Sequence, residues 1–124
     1  MPYKPAVIAN KSQLQAALQS TAYLVLFIHT DPHTYLATFK DMANYFALPD
    51  RYAFATLDFG RSLEETQVAI EVLPGVQELP ALVVFRDGSQ VEVLAENVHP
   101  GTLGEIIDKY QDKARDEARV RRQG

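Results

Sequence analysis

Hydrophobic residues follow two different spacings along this 124-residue chain, and the spacing predicts where strands and helices fall. Three short runs are almost wholly apolar and rich in aromatic and branched residues, which is typical of interior strands: Tyr23–His29, Tyr52–Asp58 and Ala81–Arg86. Residues 6–8 predict a short first strand. Residues 91–95 predict a last one, paired with the strand before it across an Asp-Gly turn.

Four further segments have apolar residues three and four positions apart, the spacing of a helix with one buried face. The first covers residues 11–19, with Asn10 as its N-cap. The second helix lies between the two long interior strands. The third begins after Ser62, which forms a capping box with Glu65. The fourth opens at Pro100, whose missing N–H costs nothing in a first turn.

The predicted elements follow in the order βαβαβαββα. Three strands that alternate with helices, followed by a hairpin, predict a mixed central sheet with helices on both faces, which is a three-layer α/β sandwich. A chain of this length forms one core, and we place the domain at residues 1–110. Residues 111–124 are predicted to be a charged helical extension or tail.

Composition excludes several kinds of chemistry. The chain has no cysteine, so it forms no disulfide and offers no thiolate as nucleophile or metal ligand. No secretory leader is visible at its start. The longest apolar run, residues 22–28, is too short to cross a bilayer. We therefore expect a cytoplasmic protein that does not insert into membranes.

Charge is unevenly distributed along the chain. Residues 1–110 carry 7 Lys and Arg against 13 Asp and Glu, which argues against a nucleic-acid-binding surface. Residues 111–124 carry 5 against 3, and their arginines are Arg115, Arg119, Arg121 and Arg122. Such a basic end is typical of a solvated helix terminus, and contact with an acidic partner is the alternative.

One stretch resembles a known family. Residues 75–88 contain a Gly-Val step, then Leu79-Pro80, a strand and an Asp-Gly turn. With residues 23–27, 55–58 and 98–107, they resemble the thioredoxin superfamily over residues 6–110. In that family the proline is cis and faces a Cys-x-x-Cys pair, whose places fall near Pro32 and Tyr35 here. Leu26 stands where the family has a buried carboxylate. The resemblance implies a thioredoxin-like fold without redox activity.

A narrower resemblance suggests a biological setting. The chain is similar to hydrogenase maturation proteins of the HyaE/HupG type, which are also thioredoxin-like without the dithiol pair. The shared features are Asp31-Pro32 after the first long strand and His99-Pro100 before the last helix. That family is thought to act as a chaperone for the twin-arginine signal peptide of the hydrogenase small subunit.

The resemblance also implies where a partner binds. The backbone beside Leu79-Pro80 is expected to pair with an extended peptide, as thioredoxins do with their substrates. A facing wall is expected from five consecutive residues: Asp31, Pro32, His33, Thr34 and Tyr35. Asp31 is expected to cap the second helix, with Pro32 in its first turn. We therefore interpret the chain as a binding or chaperone-like module rather than an enzyme, without a cofactor. A basic signal peptide would suit its acidic body.

Two other functions compete with this hypothesis. His29, Asp31 and His33 alternate, and two imidazoles with one carboxylate can bind zinc or iron. A small non-thiol enzyme or metal-binding protein is therefore the alternative, with His33 and Asp31 as acid and base. No fourth ligand or nucleophile accompanies them in the sequence. The remaining possibility is an oligomer-forming domain without a peptide ligand.

Overall fold

The computed structural model describes residues 3–30, 35–74 and 78–123. Within these ranges the chain forms five strands and four helices, in the predicted order. The strands are β1 (Ala6–Val7), β2 (Tyr23–His29), β3 (Tyr52–Asp58), β4 (Ala81–Arg86) and β5 (Ser89–Leu94). The helices are α1 (Lys11–Ser20), α2 (Leu36–Phe46), α3 (Leu63–Val72) and α4 (Pro100–Gln123).

The strands form a single mixed sheet in the order β1-β3-β2-β4-β5. β1 and β2 run parallel to β3, whereas β4 runs antiparallel to both β2 and β5. The predicted hairpin between β4 and β5 is confirmed. Asp87 and Gly88 both adopt positive φ, at 49° and 85°, as a tight hairpin turn requires. β5 begins directly after this turn, two residues earlier than predicted.

Each face of the sheet has its own hydrophobic cluster. Alternate residues of β2 supply both, because successive side chains in a strand point to opposite faces. Tyr23, Val25 and Phe27 pack with residues of α2 and α4, in what we call the α2/α4 cluster. Leu24, Leu26 and Ile28 pack with residues of α1 and α3, in the α1/α3 cluster. Every residue of β2 is buried, as predicted for a strand covered on both faces.

Aromatic rings fill the α2/α4 cluster. Phe27 stacks on Phe39 with ring centroids 4.8 Å apart, and Tyr52 meets Phe54 edge to face at the same distance. The hydroxyl of Tyr52 donates a hydrogen bond of 2.7 Å to the carbonyl of Ile107 in α4. Burial raises the pKa of this phenol, so it stays a neutral donor. The cluster therefore fixes α4 against β3 by both packing and a buried hydrogen bond.

α4 continues well past residue 110 and remains in contact with the sheet and with α2. The Gln111 side chain donates to the Phe46 carbonyl at 3.0 Å, and Ala114 is buried. Three residues on, Glu117 accepts hydrogen bonds from the Tyr23 hydroxyl at 2.7 Å and from Arg86 at 3.0 Å. The first half of the charged segment is thus attached to β2 and β4.

A second group of contacts joins β5 to α4. Glu92 accepts hydrogen bonds from Lys109 at 2.9 Å and from the Tyr110 hydroxyl at 2.7 Å. These two donors lower the pKa of Glu92. Burial and the neighbouring carboxylate raise the pKa of Tyr110 to about 12. In the part of the chain that the structure describes, no helix is both long enough and apolar enough to span a membrane.

Two of the predicted helix caps are confirmed, and the third falls on a residue outside the described ranges. Asn10 accepts a hydrogen bond from the Gln13 amide, and Ser62 accepts one from the Glu65 amide. α2, however, begins at Leu36 with Tyr35 as its N-cap residue and no side-chain capping hydrogen bond. The predicted cap residue, Asp31, and Pro32 lie outside the described residues.

Among the residues of these caps, Glu65 of the capping box is the one whose substitution should lower the free energy of unfolding most. It is buried, and its carboxylate lies 3.0 Å from Ser62 Oγ and 2.9 Å from an Arg61 guanidinium nitrogen. Burial alone would raise the pKa of Glu65, but the hydrogen bonds from Arg61 and Ser62 outweigh it, and the pKa is lowered. The resulting stabilisation is present above the unfolded-state pKa of about 4.3 and is lost as pH falls through the folded-state value.

We predict that Glu65→Gln lowers the free energy of unfolding by about 1–3 kcal/mol at pH 7, because the Arg61 guanidinium and the Ser62 hydroxyl lose a buried, charged acceptor. Urea unfolding should show the gap between variant and wild type shrinking below about pH 4. The control is Glu64→Gln, which removes an exposed charge from the same helical turn. This control should lower the free energy of unfolding by about 0.5 kcal/mol. Equal losses in the two variants would contradict the assignment.

Candidate functional site

The predicted peptide-binding edge lies at the carboxyl ends of β2 and β3. β4 begins at Ala81, which is paired with Ile28 near the end of β2. Leu79 and Pro80 come directly before this pair, so they lie beside the carboxyl end of β2. The peptide bond between them is cis. In open α/β sheets, ligands bind outside the carboxyl ends of the parallel strands.

Leu79 combines a packed side chain with a main chain that is unpaired among the described residues. Its side chain is half-buried against the α1/α3 cluster. Among the residues that the structure describes, none makes a hydrogen bond with the main chain of Leu79. A segment with this combination has a fixed position and retains one donor and one acceptor for another chain.

Tyr35 lies at the same end of the sheet, at the start of α2. It is half-buried and packs against the α2/α4 cluster. Its carbonyl accepts the first hydrogen bond of α2, from the Phe39 amide at 2.9 Å. Tyr35, Leu79 and Pro80 thus lie at the same end of the sheet, with Tyr35 packed on one of its faces and Leu79 on the other.

The other four residues of the expected wall are Asp31, Pro32, His33 and Thr34, and they lie outside the described residues. The wall facing Leu79-Pro80 therefore stays a prediction for those positions. The metal hypothesis depends on Asp31 and His33 and stays untested for the same reason. Within the described ranges, no group of three histidine or acidic side chains is placed to hold a metal ion.

Asp58 is a neighbour of His29 that the sequence analysis missed. The two residues end β2 and β3 and are paired in the parallel register, so their side chains share one face. Both are nearly inaccessible, at 4% exposed for His29 and 6% for Asp58. The imidazole of His29 stacks on Phe27, with ring centroids 5.8 Å apart, and its Nδ1 lies 3.2 Å from the carbonyl oxygen of Thr30. The two predicted strands have equal lengths, so pairing them in parallel from their first residues would have placed His29 beside Asp58.

A polar groove of about 270 Å³ borders Asp58. Its lining consists of Thr30, Asp58, Phe59, Gly60 and Arg61. The groove lies at the same end of the sheet, since its residues either end β3 or directly follow β2 and β3.

His99 at the start of α4 has a local structural role. Its Nδ1 accepts a hydrogen bond from the Gly101 amide at 3.2 Å, and its own amide donates to Thr102 Oγ1 at 3.1 Å. The Thr102 hydroxyl also donates to the Asn97 carbonyl at 2.7 Å. These bonds satisfy polar groups at the helix start, so the His99-Pro100 dipeptide is explained by helix capping.

Comparison with solved structures identifies the fold. A mutant thioredoxin from Halobacterium salinarum superimposes with a TM-score of 0.65 over 89% of this chain and 93% of its own, at 22% identity. Mitochondrial thioredoxin 3 from Saccharomyces cerevisiae gives a TM-score of 0.67 over 85% and 94%, at 16% identity. This chain has the thioredoxin fold. No protein-family model and no curated protein matches the sequence.

The thioredoxin from Malassezia sympodialis is similar to the same extent, with a TM-score of 0.66, 18% identity and coverage of 90% and 95%. Such low identities establish the shared fold alone. Thiol–disulfide exchange requires a thiolate that attacks a disulfide sulfur. This chain has no cysteine to supply such a thiolate, and Leu26 is fully buried in the α1/α3 cluster. The fold is present here without its thiol chemistry.

We predict that the purified protein does not accelerate the reduction of insulin by dithiothreitol, because it contains no cysteine to form the mixed disulfide. The measurement is the turbidity of precipitating insulin chains, with a dithiol thioredoxin as the positive control. A rate above that of dithiothreitol alone would show that the protein uses a different reductive chemistry.

Proposed function

We propose that this protein is a non-redox binding module that captures an extended peptide of a protein partner beside Leu79-Pro80. The observation that supports this most directly is the main chain of Leu79. It has no hydrogen-bond partner in the part of the chain that the structure describes, and it lies where the pairing of β4 with β2 ends. An extended peptide can form hydrogen bonds with such a segment as an added strand does.

Apolar side chains on both sides of this segment would supply affinity. Leu79 and Tyr35 are each half-buried, so each has part of its apolar surface exposed to a ligand. Aromatic side chains are enriched among residues that dominate binding energy, because they bury a large area and lose little conformational entropy. The peptide would gain hydrogen bonds from the main chain and hydrophobic contact from these two side chains.

The charge of the domain favours a basic peptide. The whole chain carries a net charge of −4, and Glu78 is exposed immediately before Leu79. Opposite charge accelerates encounter and suppresses acidic competitors. A twin-arginine signal peptide has this character. We therefore propose chaperone activity in metalloenzyme maturation, as in the hydrogenase proteins that the sequence resembles, as the specific role.

We predict that Tyr35→Ala weakens the binding of a synthetic twin-arginine signal peptide at least about 10-fold, because the peptide loses an aromatic contact at the edge. Isothermal titration calorimetry is the measurement. Tyr45→Ala is the matched control, since Tyr45 lies in the same helix α2, is 80% exposed and is far from Leu79-Pro80 along the helix. Its affinity should stay within about 2-fold of wild type.

A second pair of variants tests the other side of the edge. Leu79→Asp should also weaken the peptide at least about 10-fold, because a carboxylate replaces an apolar contact. Leu63→Asp is its control, as Leu63 is 73% exposed at the start of α3. Circular dichroism should show that both variants remain folded. Equal effects of Leu79→Asp and Leu63→Asp would contradict binding at this edge.

Elemental analysis separates this proposal from the metal alternative. The proposal expects that the purified protein and its His33→Ala variant contain the same background of zinc and iron. A stoichiometric metal that disappears in His33→Ala would instead favour the metal-binding alternative, with His29 and Asp31 as the remaining ligands.

A further inference from the structure

A basic groove lies at the opposite end of the sheet from Leu79-Pro80. It has a volume of about 260 Å³ and is lined by Leu48, Arg51, Arg115, Ala118 and Arg119. Arg51 comes directly before the start of β3, whereas Leu79-Pro80 lies beside the strands' carboxyl ends. Seven residues of β3 separate the two ends, a distance of roughly 20 Å. The groove is therefore independent of the proposed peptide-binding edge.

Two firmly held elements bring these arginines together. The turn before β3 is closed by hydrogen bonds from the Arg51 and Tyr52 amides to the Leu48 carbonyl, at 3.2 and 3.0 Å. The facing segment of α4 is held by buried Ala114 and by the Glu117 contact with Tyr23. Because both walls are attached to the core, the positions of the arginine Cα atoms are set by the fold rather than by a fraying helix end.

The arginines of the groove differ from other arginines of the protein in their partners. Arg61 and Arg86 each meet a carboxylate closely, at 2.9 and 3.0 Å. Over the described ranges, by contrast, no carboxylate lies within ion-pair distance of Arg51 or Arg115. Arg119 meets only Asp116, at 3.7 Å, and both side chains are 71% exposed. Exposed ion pairs of this kind contribute little to the stability of the fold.

Three neighbouring guanidinium groups repel one another, and Arg115 and Arg119 are four residues apart on one helix face, where like charges are destabilising. An anionic ligand would reverse this repulsion. Arginine binds carboxylates with two parallel hydrogen bonds. Leu48 and Ala118 add an apolar floor, which suits the carbon chains of glutamate side chains better than a small hydrated ion.

We propose that this groove binds an acidic peptide segment of a protein partner, through bidentate contacts between its carboxylates and Arg51, Arg115 and Arg119. The charge of the rest of the molecule strengthens the specificity of such a site. A protein with a net charge of −4 repels an acidic peptide everywhere except where positive charge is concentrated. The groove is the place where an acidic ligand is attracted.

The test uses a fluorescein-labelled peptide of sequence Glu-Glu-Leu-Glu-Glu and fluorescence anisotropy at low ionic strength. Wild-type protein should bind it, with affinity falling as salt is added. Arg51→Gln combined with Arg115→Gln should weaken binding at least about 10-fold, because two charged contacts are lost. The matched control is Lys4→Gln with Lys40→Gln, which removes two exposed positive charges elsewhere. It should change binding less than about 2-fold.

Amide chemical-shift mapping on the wild-type protein gives a second measurement that does not depend on variants. The shifts caused by the peptide should be centred on Leu48, Arg51 and Ala118. The proposal is overturned if the peptide does not bind, if both double variants weaken it equally, or if the shifts lie elsewhere. It is also overturned if inorganic phosphate binds the groove and the peptide does not.

Discussion

The structure depends on one constraint, the complete burial of β2 between two layers of helices. All seven residues of this strand are inaccessible, and alternate side chains belong to clusters on opposite faces of the sheet. Because β2 pairs with both β3 and β4, its position also sets the register of its neighbours. The end of β2 then determines where the candidate edge lies, since His29, Ala81 and the start of α2 all meet there.

The sequence predicted the interior of the fold better than its boundaries and sites. β2 and β3 begin and end where predicted. Each is an almost wholly apolar run, and a run of this kind is buried along its whole length when it forms an interior strand. The observed N-cap of α2, Tyr35, makes no side-chain hydrogen bond, so no capping signal in the sequence marks it. Local signals identify caps only where side chains do the capping.

The sites depend on contacts between residues far apart in the chain. Nothing near Arg51 in sequence indicates that it lies beside Arg115, since the groove forms only when α4 packs along α2 and the sheet. The pairing of His29 with Asp58 likewise follows from strand register. By contrast, Leu79-Pro80 could be picked out as a candidate from the sequence, because it belongs to the motif that resembles the thioredoxin family. The absence of thiol–disulfide exchange follows from composition alone, because the chain contains no cysteine.

If a partner binds at the proposed edge, the absence of cysteine determines how it can be held. A thioredoxin that retains its cysteines becomes covalently linked, for part of each cycle, to any client with an accessible disulfide. This protein cannot be trapped in that way, because neither the edge nor the core beneath it contains a thiol. Under the proposed function, a client with reactive cysteines would therefore bind and leave by equilibrium alone. Its release would not depend on the redox state of the compartment.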